Sequence, residues 1–139
     1  MFQVSTFMPH FVTIVHPPEC CVTMDMLFET ELLFAWGPLA DPHNLHEFLG
    51  RYVPFAPAYV EGFTRSVTSN YGEWHPVLRE ERDGIVQGVV LIGLSEPEIE
   101  NLDQYERVPM HMQREKIPCM IGNLQRIVQI YLTRGSYLG

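Results

Sequence analysis

The sequence predicts a single α+β domain built on a mainly antiparallel sheet or small barrel. Strand patterns dominate the chain, and only two segments have convincing helix signals. The 139 residues suit one domain, which can bury a core without a disulfide or a metal. A hydrophobic content of 46% with 19% charged residues is typical of a globular chain.

The first 30 residues differ from the rest. We assign 1–30 to an N-terminal extension of unknown role and 31–139 to a single domain. The extension has no Lys or Arg and is broken at Pro17-Pro18, with a short strand predicted from Phe11 to Val15. It either packs on the core or mediates assembly, or it is a loosely held tail.

The predicted domain starts with a strand and a helix. Leu32 to Trp36 is an apolar run that ends at Gly37-Pro38, which indicates a buried strand followed by a turn. Asp41 is a good N-cap and Gly50 a good C-terminal stop, so a helix is predicted between them.

The middle of the chain contains the strongest strand signal. A half-buried strand is predicted from Ala58 to Ser69, and residues 70–83 look like a loop. The run from Ile85 to Ile92 is rich in β-branched residues and predicts a central strand. Gly88 within it indicates a bulge or a close approach of backbone or ligand.

The last third predicts a capped helix and a hairpin. Ser95 and Glu98 form a capping box ahead of a helix that carries Leu102 on its apolar face. Strands are predicted for Gln113 to Cys119 and Arg126 to Leu132, joined by a turn at Gly122-Asn123.

Charge and cysteine usage exclude several classes of protein. The net charge is -8, and none of the nine Lys and Arg residues precedes Arg51, so we expect no nucleic acid and no anionic membrane as partner. Cys20, Cys21 and Cys119 form a poor disulfide framework and predict free thiols. No apolar run is long enough to span a bilayer, and we expect a cytoplasmic location.

A metal site is not expected. His10, His16, Cys20 and Cys21 are clustered, but their spacing lacks the close pairs on a turn that are usual for zinc. We also find no phosphate-binding glycine loop and no nucleophile motif. We therefore expect no metal and no cofactor.

Four local features could carry chemistry. They are, in chain order, the turn Trp36-Gly37-Pro38-Leu39, the segment His75-Pro76-Val77-Leu78, the strand around Gly88, and Leu102-Asp103-Gln104-Tyr105-Glu106. Each is weak alone, since a carboxylate at a helix end is usually a solvated surface group.

Together and in this order, these features and Arg114 resemble the gamma-glutamylcyclotransferase-like superfamily, which includes gamma-glutamylamine cyclotransferases and plant avirulence-induced proteins. The resemblance covers about 100 residues, and the Leu-Asp-x-Tyr-Glu element that ends at Glu106 is its most specific part. It implies a small, mainly antiparallel mixed β-barrel with two or three flanking helices.

The resemblance also implies an activity and a site. Such enzymes release 5-oxoproline from gamma-glutamyl amides by attack of the substrate's own α-amine, without a cofactor. Glu106 would be the general acid/base, and a small molecule would be the partner. Substrate would be bound by residues of the turn, the helix end and the next strand: Trp36, Gly37, Pro38, Leu39, Tyr105 and Arg114. A homodimer is left open.

Several positions depart from the superfamily pattern. Trp36 replaces a Tyr, Pro38 replaces a Ser or Thr and lacks an N–H, and Arg107 replaces a Gly. Met112 also stands where a Tyr is usual. The hypotheses are therefore a cyclotransferase, an altered or inactive binding module on the same fold, and a domain whose function lies elsewhere.

Overall fold

A computed structural model describes residues 1–70, 73–106 and 112–133, without the side chains of 68–70 and 73–75. The strands are β1 Gln3–Phe7, β2 Val12–His16, β3 Leu33–Ala35, β4 Phe55–Asn70, β5 Glu73–Leu91, β6 Met112–Ile121 and β7 Leu124–Thr133. The helices are α1 Met26–Glu29, α2 Pro42–Leu49 and α3 Glu96–Tyr105, and a 3-10 turn covers Pro38–Ala40.

Five of the strands close into a barrel. The sheet order is β1-β2-β4-β5-β3-β7-β6, and an additional pairing of β4 with β6 closes the last five strands. The pairing of β3 with β7 is parallel, and the other strand pairs described are antiparallel. This confirms the predicted small, mainly antiparallel mixed barrel with flanking helices.

Two hydrophobic clusters lie on opposite sides of the barrel wall. Because side chains alternate along a strand, Val128, Ile130 and Leu132 of β7 belong to one cluster, which fills the barrel interior. The other cluster joins the outer face of β3 and β7 to α2 and α3, and Leu102 of α3 is completely buried in it. This second cluster fixes the position of α3, which carries the candidate catalytic residue.

The N-terminal stretch is packed against the barrel. The β1–β2 hairpin joins the sheet through Val15, which pairs with Phe55 of β4. Val12 and Ile14 of β2 are completely buried in the interior cluster. Of the two alternatives for residues 1–30, packing on the core is therefore the observed one.

The predicted loop at 70–83 is wrong for the described residues, and 71–72 lie outside them. β5 begins at Glu73 and pairs with β4 on both sides of an irregularity between Glu61 and Phe63. The charged residues 79–83 are exposed, and a charged composition of this kind is typical of a loop. The backbone of Arg79 and Glu80 is nevertheless held by the ladder to β4, opposite Thr64 and Phe63, since a strand needs pairing rather than apolar side chains.

The predicted helix boundaries are confirmed by their caps. The Asp41 carboxylate accepts the N–H of His43 at 2.8 Å, and Gly50 ends α2 at φ 82°. Ser95 and Glu98 form the complete capping box of α3. Gly88 is explained by packing, because a Cβ there would clash with the carbonyl oxygen of Ala35.

Candidate active site

Glu106 lies at the C-terminal end of α3, where its N–H donates to the carbonyl of Leu102 at 2.9 Å. The side chain is half-buried, and burial raises the pKa of its carboxyl group to about 7. Among the residues that the structure describes, none donates a hydrogen bond to this carboxylate. A carboxyl group in this state can both accept and release a proton near neutral pH.

Asp103 lies one helical turn before Glu106 and is held by two side chains. Its carboxylate accepts the hydroxyl of Tyr131 at 2.6 Å and the Nη2 of Arg114 at 3.0 Å, with the Arg114 Nε at 2.9 Å. Burial, the bond to Asp103 and the charges of Asp103 and Glu106 all raise the pKa of the Tyr131 hydroxyl. Tyr131 therefore lies close to both carboxylates and stays protonated.

A chain of hydrogen bonds extends from Arg114 to the start of β3. Arg114 Nη1 donates to Oε1 of Gln129 at 2.5 Å, and Gln129 Nε2 donates to Glu31 Oε2 at 2.8 Å. The guanidinium, predicted to bind substrate, is thus held on two sides by protein groups. This arrangement fixes its position beside Asp103.

The turn after β3 lies at the barrel edge where β7 ends. Leu33 of β3 is the register partner of Gln129 of β7 in the parallel pair, so the two strands advance together toward this edge. The backbone bonds recorded within the turn run from Ala40 N to Gly37 O at 2.9 Å and from Asp41 N to Pro38 O at 3.1 Å. Neither uses the N–H of Gly37 or Leu39.

Trp36 is half-buried at the end of β3 and packs against the interior cluster. The guanidinium of Arg65 lies 5.7 Å from the centre of its ring, a cation–π distance. Arg65 Nη2 also donates to the carbonyl of Gln87 at 2.9 Å. The indole is therefore covered by a fixed cation from β4.

The outer cluster joins three of the elements that carry the predicted site residues or their partners. Leu39, Leu102 and Tyr131 share the outer cluster, so the turn, α3 and β7 meet there. Tyr105 is placed differently, because its side chain is 51% exposed and its ring packs on Phe48 with centroids 5.2 Å apart.

Sequence reasoning missed the polar side of β7. Gln129, Tyr131 and Thr133 alternate with apolar residues along this strand. This spacing of two, which places them on one face of a strand, was the available signal. Arg65 carries no comparable signal, because it lies in a strand of mixed polar and apolar residues.

Other reactive side chains are accounted for by burial or by local bonds. Burial raises the pKa of the Cys119 thiol to about 12, so it is not a nucleophile at neutral pH. His16 Nδ1 donates to the carbonyl of Pro17 at 2.9 Å, and its Nε2 accepts the hydroxyl of Ser5 at 3.0 Å. No group of three metal-ligating side chains occurs within 1–70, 73–106 and 112–133. Arg107 lies outside the described residues.

A separate cleft of about 270 Å³ lies between the segment 28–32 and the outer face of the β6–β7 hairpin. Gln129 lines it, but none of the predicted site residues does. Over the described part of the chain, no helix has the length and apolar character to cross a bilayer.

The fold and this geometry define a cyclotransferase-like barrel with a carboxylic acid at a helix end. A model of the family "Gamma-glutamyl cyclotransferase, AIG2-like" matches residues 33–137. The chain belongs to this family. Arg107 and Met112, which depart from the superfamily pattern, lie within the matched range.

Curated relatives support the same assignment. AIG2-like protein B of Arabidopsis thaliana is 32% identical over 88 residues, covering 60% of this chain and 50% of that protein. AIG2-like protein A of the same organism is 33% identical over 88 residues, covering 60% of this chain and 52% of that protein. The chain therefore spans about half the length of these relatives.

Solved structures share the fold. One Arabidopsis thaliana protein solved in solution has a TM-score of 0.64 at 25% identity, covering 74% of this chain and 68% of that one. A gamma-glutamyl cyclotransferase structure has a TM-score of 0.64 at 15% identity, covering 74% of this chain and 66% of that one. At the latter identity, the likeness concerns the fold alone.

Proposed function

We propose that this protein is a cofactor-independent cyclotransferase that releases 5-oxoproline from a gamma-glutamyl amine or a related amide. The observation that carries the proposal is the half-buried Glu106 carboxyl group, whose pKa of about 7 suits an acid/base catalyst. Family membership and the barrel fold support the class of reaction.

In the proposed reaction, the substrate's α-amine nitrogen attacks its own γ-carbonyl carbon. A C–N bond forms within the new five-membered ring, and the amide C–N bond to the leaving amine breaks. Glu106 takes the proton from the attacking nitrogen and gives it to the departing one. Because both reacting groups belong to one molecule, the site needs to orient the substrate rather than supply a nucleophile.

Binding of the substrate's α-carboxylate is assigned to the turn at residues 37–39. The N–H groups of Gly37 and Leu39 are not used by the turn's own recorded bonds, and backbone N–H groups of this kind can hold an anion in a protein of net negative charge. In this proposal Trp36 and Pro38 flank the carboxylate-binding groups of the turn, and the Arg114–Asp103 pair forms the polar wall beside Glu106.

The direct test is release of 5-oxoproline from a panel of gamma-glutamyl amines. Glu106→Gln should lower the rate at least 100-fold, since general acid/base catalysis contributes at least that factor. Glu100→Gln is the matched control, because Glu100 is exposed on the same helix. Wild-type protein without 5-oxoproline release, or Glu106→Gln with the wild-type rate, contradicts the proposal.

A second candidate is a binding module that does not turn substrate over. The departures at Trp36, covered by Arg65, and at Pro38, which offers no N–H, favour it. It predicts that wild type and Glu106→Gln bind a gamma-glutamyl amide equally well and that neither releases 5-oxoproline.

A further inference from the structure

The hydroxyl group of Thr133 lies at the same barrel edge as the candidate site. Thr133 is the last residue of β7, and Leu33 of β3 is the parallel register partner of Gln129 of β7. Thr133 lies as far beyond Gln129 as Gly37 lies beyond Leu33. Because neighbouring parallel strands rise equally per residue, Thr133 reaches the edge where the turn begins.

Thr133 also belongs to the polar face of β7. Side chains alternate along a strand, so Thr133 shares a face with Tyr131, while Leu132 belongs to the interior cluster. The hydroxyl of Tyr131 binds Asp103, and the charge of Glu106 acts on it. The face that carries Thr133 is therefore the one directed toward the carboxylates at the end of α3.

The Thr133 hydroxyl is buried and unpaired. Its oxygen exposes less than 1 Å² and has no hydrogen-bond partner among the described residues. Leaving a buried hydroxyl unpaired destabilises a folded protein, and such a group in a native structure calls for an explanation. Thr30 shows the usual arrangement, since its hydroxyl donates to the carbonyl of Met26 at 2.7 Å.

The turn at residues 37–39 has one backbone hydrogen-bond donor fewer than usual. Pro38 has no N–H, so the turn offers fewer donors to a bound carboxylate than one with another residue there. We propose that the Thr133 hydroxyl donates a hydrogen bond to the α-carboxylate of the gamma-glutamyl substrate. The assignment rests on the proposed function and gives Thr133 a role in substrate binding rather than in proton transfer.

Thr133→Val tests this role because valine keeps the shape of threonine and removes the hydroxyl. KM for gamma-glutamyl ethylamide should rise about tenfold, the effect of losing one hydrogen bond to a charged group. We expect kcat to change less than threefold, because the lost contact binds ground state and transition state alike. Thr133→Ser, which keeps a hydroxyl, should restore KM to within about threefold of wild type.

Stability separates this role from a purely structural one. Thr133→Val should leave Tm unchanged or raise it, because no protein hydrogen bond is lost. Thr30→Val is the control: it removes a bonded hydroxyl, so Tm should fall while KM stays at the wild-type value. A Thr133→Val protein with raised Tm and a KM within twofold of wild type would overturn the proposal.

A binding measurement keeps this inference distinct from the proposed reaction. Glu106→Gln and Glu106→Gln/Thr133→Val are titrated with gamma-glutamyl ethylamide in a calorimeter. If wild type lacks turnover but the double variant binds about tenfold more weakly than the single one, the reaction fails and the Thr133 contact stands. Equal affinity of the two variants, or no binding by either, overturns the contact.

Discussion

The two ends of α3 carry glutamates that differ in their hydrogen-bond donors and in the direction of their pKa shifts. Near the N-terminus, Glu98 accepts Arg51 Nε at 2.7 Å and Nη2 at 2.8 Å, and these bonds lower the pKa of its carboxyl group to about 2. At the C-terminus, Glu106 has no recorded donor among the described residues, and burial raises its pKa to about 7. One helix thus holds a fixed anion and a group that titrates near neutral pH.

The contrast shows that local surroundings, not residue type, decide what a carboxylate can do. Glu98 is paired with a guanidinium and closes the capping box, so its charge is permanent and its role is to join α3 to the end of α2. Glu106 is desolvated without a recorded compensating charge, which is the condition for an acid/base catalyst. Two carboxyl groups on one helix whose pKa values are shifted in opposite directions indicate different roles, here a structural ion pair and a candidate acid/base.

The largest effect on stability is expected at the Glu106 end. Asp103→Ala leaves the Arg114 guanidinium and the buried Tyr131 hydroxyl without their shared acceptor. We expect a loss of about 2 kcal/mol in the free energy of unfolding, because breaking a largely buried pair strands both partners. Release of 5-oxoproline should fall as well, since Arg114 is no longer neutralised beside Glu106. Urea unfolding and the 5-oxoproline assay measure the two effects.

Asp103→Asn and Gln104→Ala are the matched variants for this experiment. Asparagine keeps the size of Asp103 and one hydrogen-bond acceptor, so Asp103→Asn should lose less free energy of unfolding than Asp103→Ala. Gln104 is exposed on α3, so Gln104→Ala should change this free energy by no more than about 0.5 kcal/mol. Asp103→Ala with wild-type stability and activity would show that this cluster is not what organises the Glu106 end.

A smaller effect is expected at the Glu98 end. Arg51→Met removes the ion pair but keeps much of the side chain's length, and 41% of the Arg51 side chain is exposed. Solvent screening limits the loss to about 1 kcal/mol, and 5-oxoproline release should stay within twofold of wild type. Activity that falls together with stability would contradict the division of roles between the two ends.

The free energy of unfolding that Arg51→Met loses should decrease as the pH falls. The folded pKa of Glu98 is about 2, below the ordinary value of 4.5. The stabilisation is therefore complete above about pH 4.5 and is lost as the pH falls toward 2. Urea unfolding of wild type and Arg51→Met should differ at pH 6 and converge near pH 2. A difference that grows on acidification would contradict the pairing.

Local signals in the sequence predicted the elements that local bonds determine. Asp41 and Ser95 begin helices through bonds to residues two or three positions away, and Gly122 adopts the positive φ of 60° that the hairpin turn requires. The barrel class and the candidate Glu106 came from the resemblance to the superfamily, which the order of such segments carries; the barrel is confirmed, and the role of Glu106 stays a prediction. The capped helices and the hairpin turn depend on neighbours in the chain and can be derived without the tertiary structure.

Long-range pairing explains what the sequence could not predict. Asp103 is an example, because Tyr131 reaches its carboxylate from a strand 28 positions away. Arg79 and Glu80, which begin the charged stretch at 79–83, are paired because β4 offers Thr64 and Phe63 opposite them. Contacts of this kind are set by strand register, and no pattern in one strand specifies the register of another.

The most direct test of the account follows Glu98 and Glu106 in one experiment. Carboxyl carbon chemical shifts of ¹³C-labelled protein are recorded by NMR from pH 2 to pH 9, with Glu98→Gln and Glu106→Gln to assign the signals. We expect a midpoint near 7 for Glu106 and near 2 for Glu98. A Glu106 midpoint near the ordinary value of 4.5 would contradict its role as a desolvated acid/base.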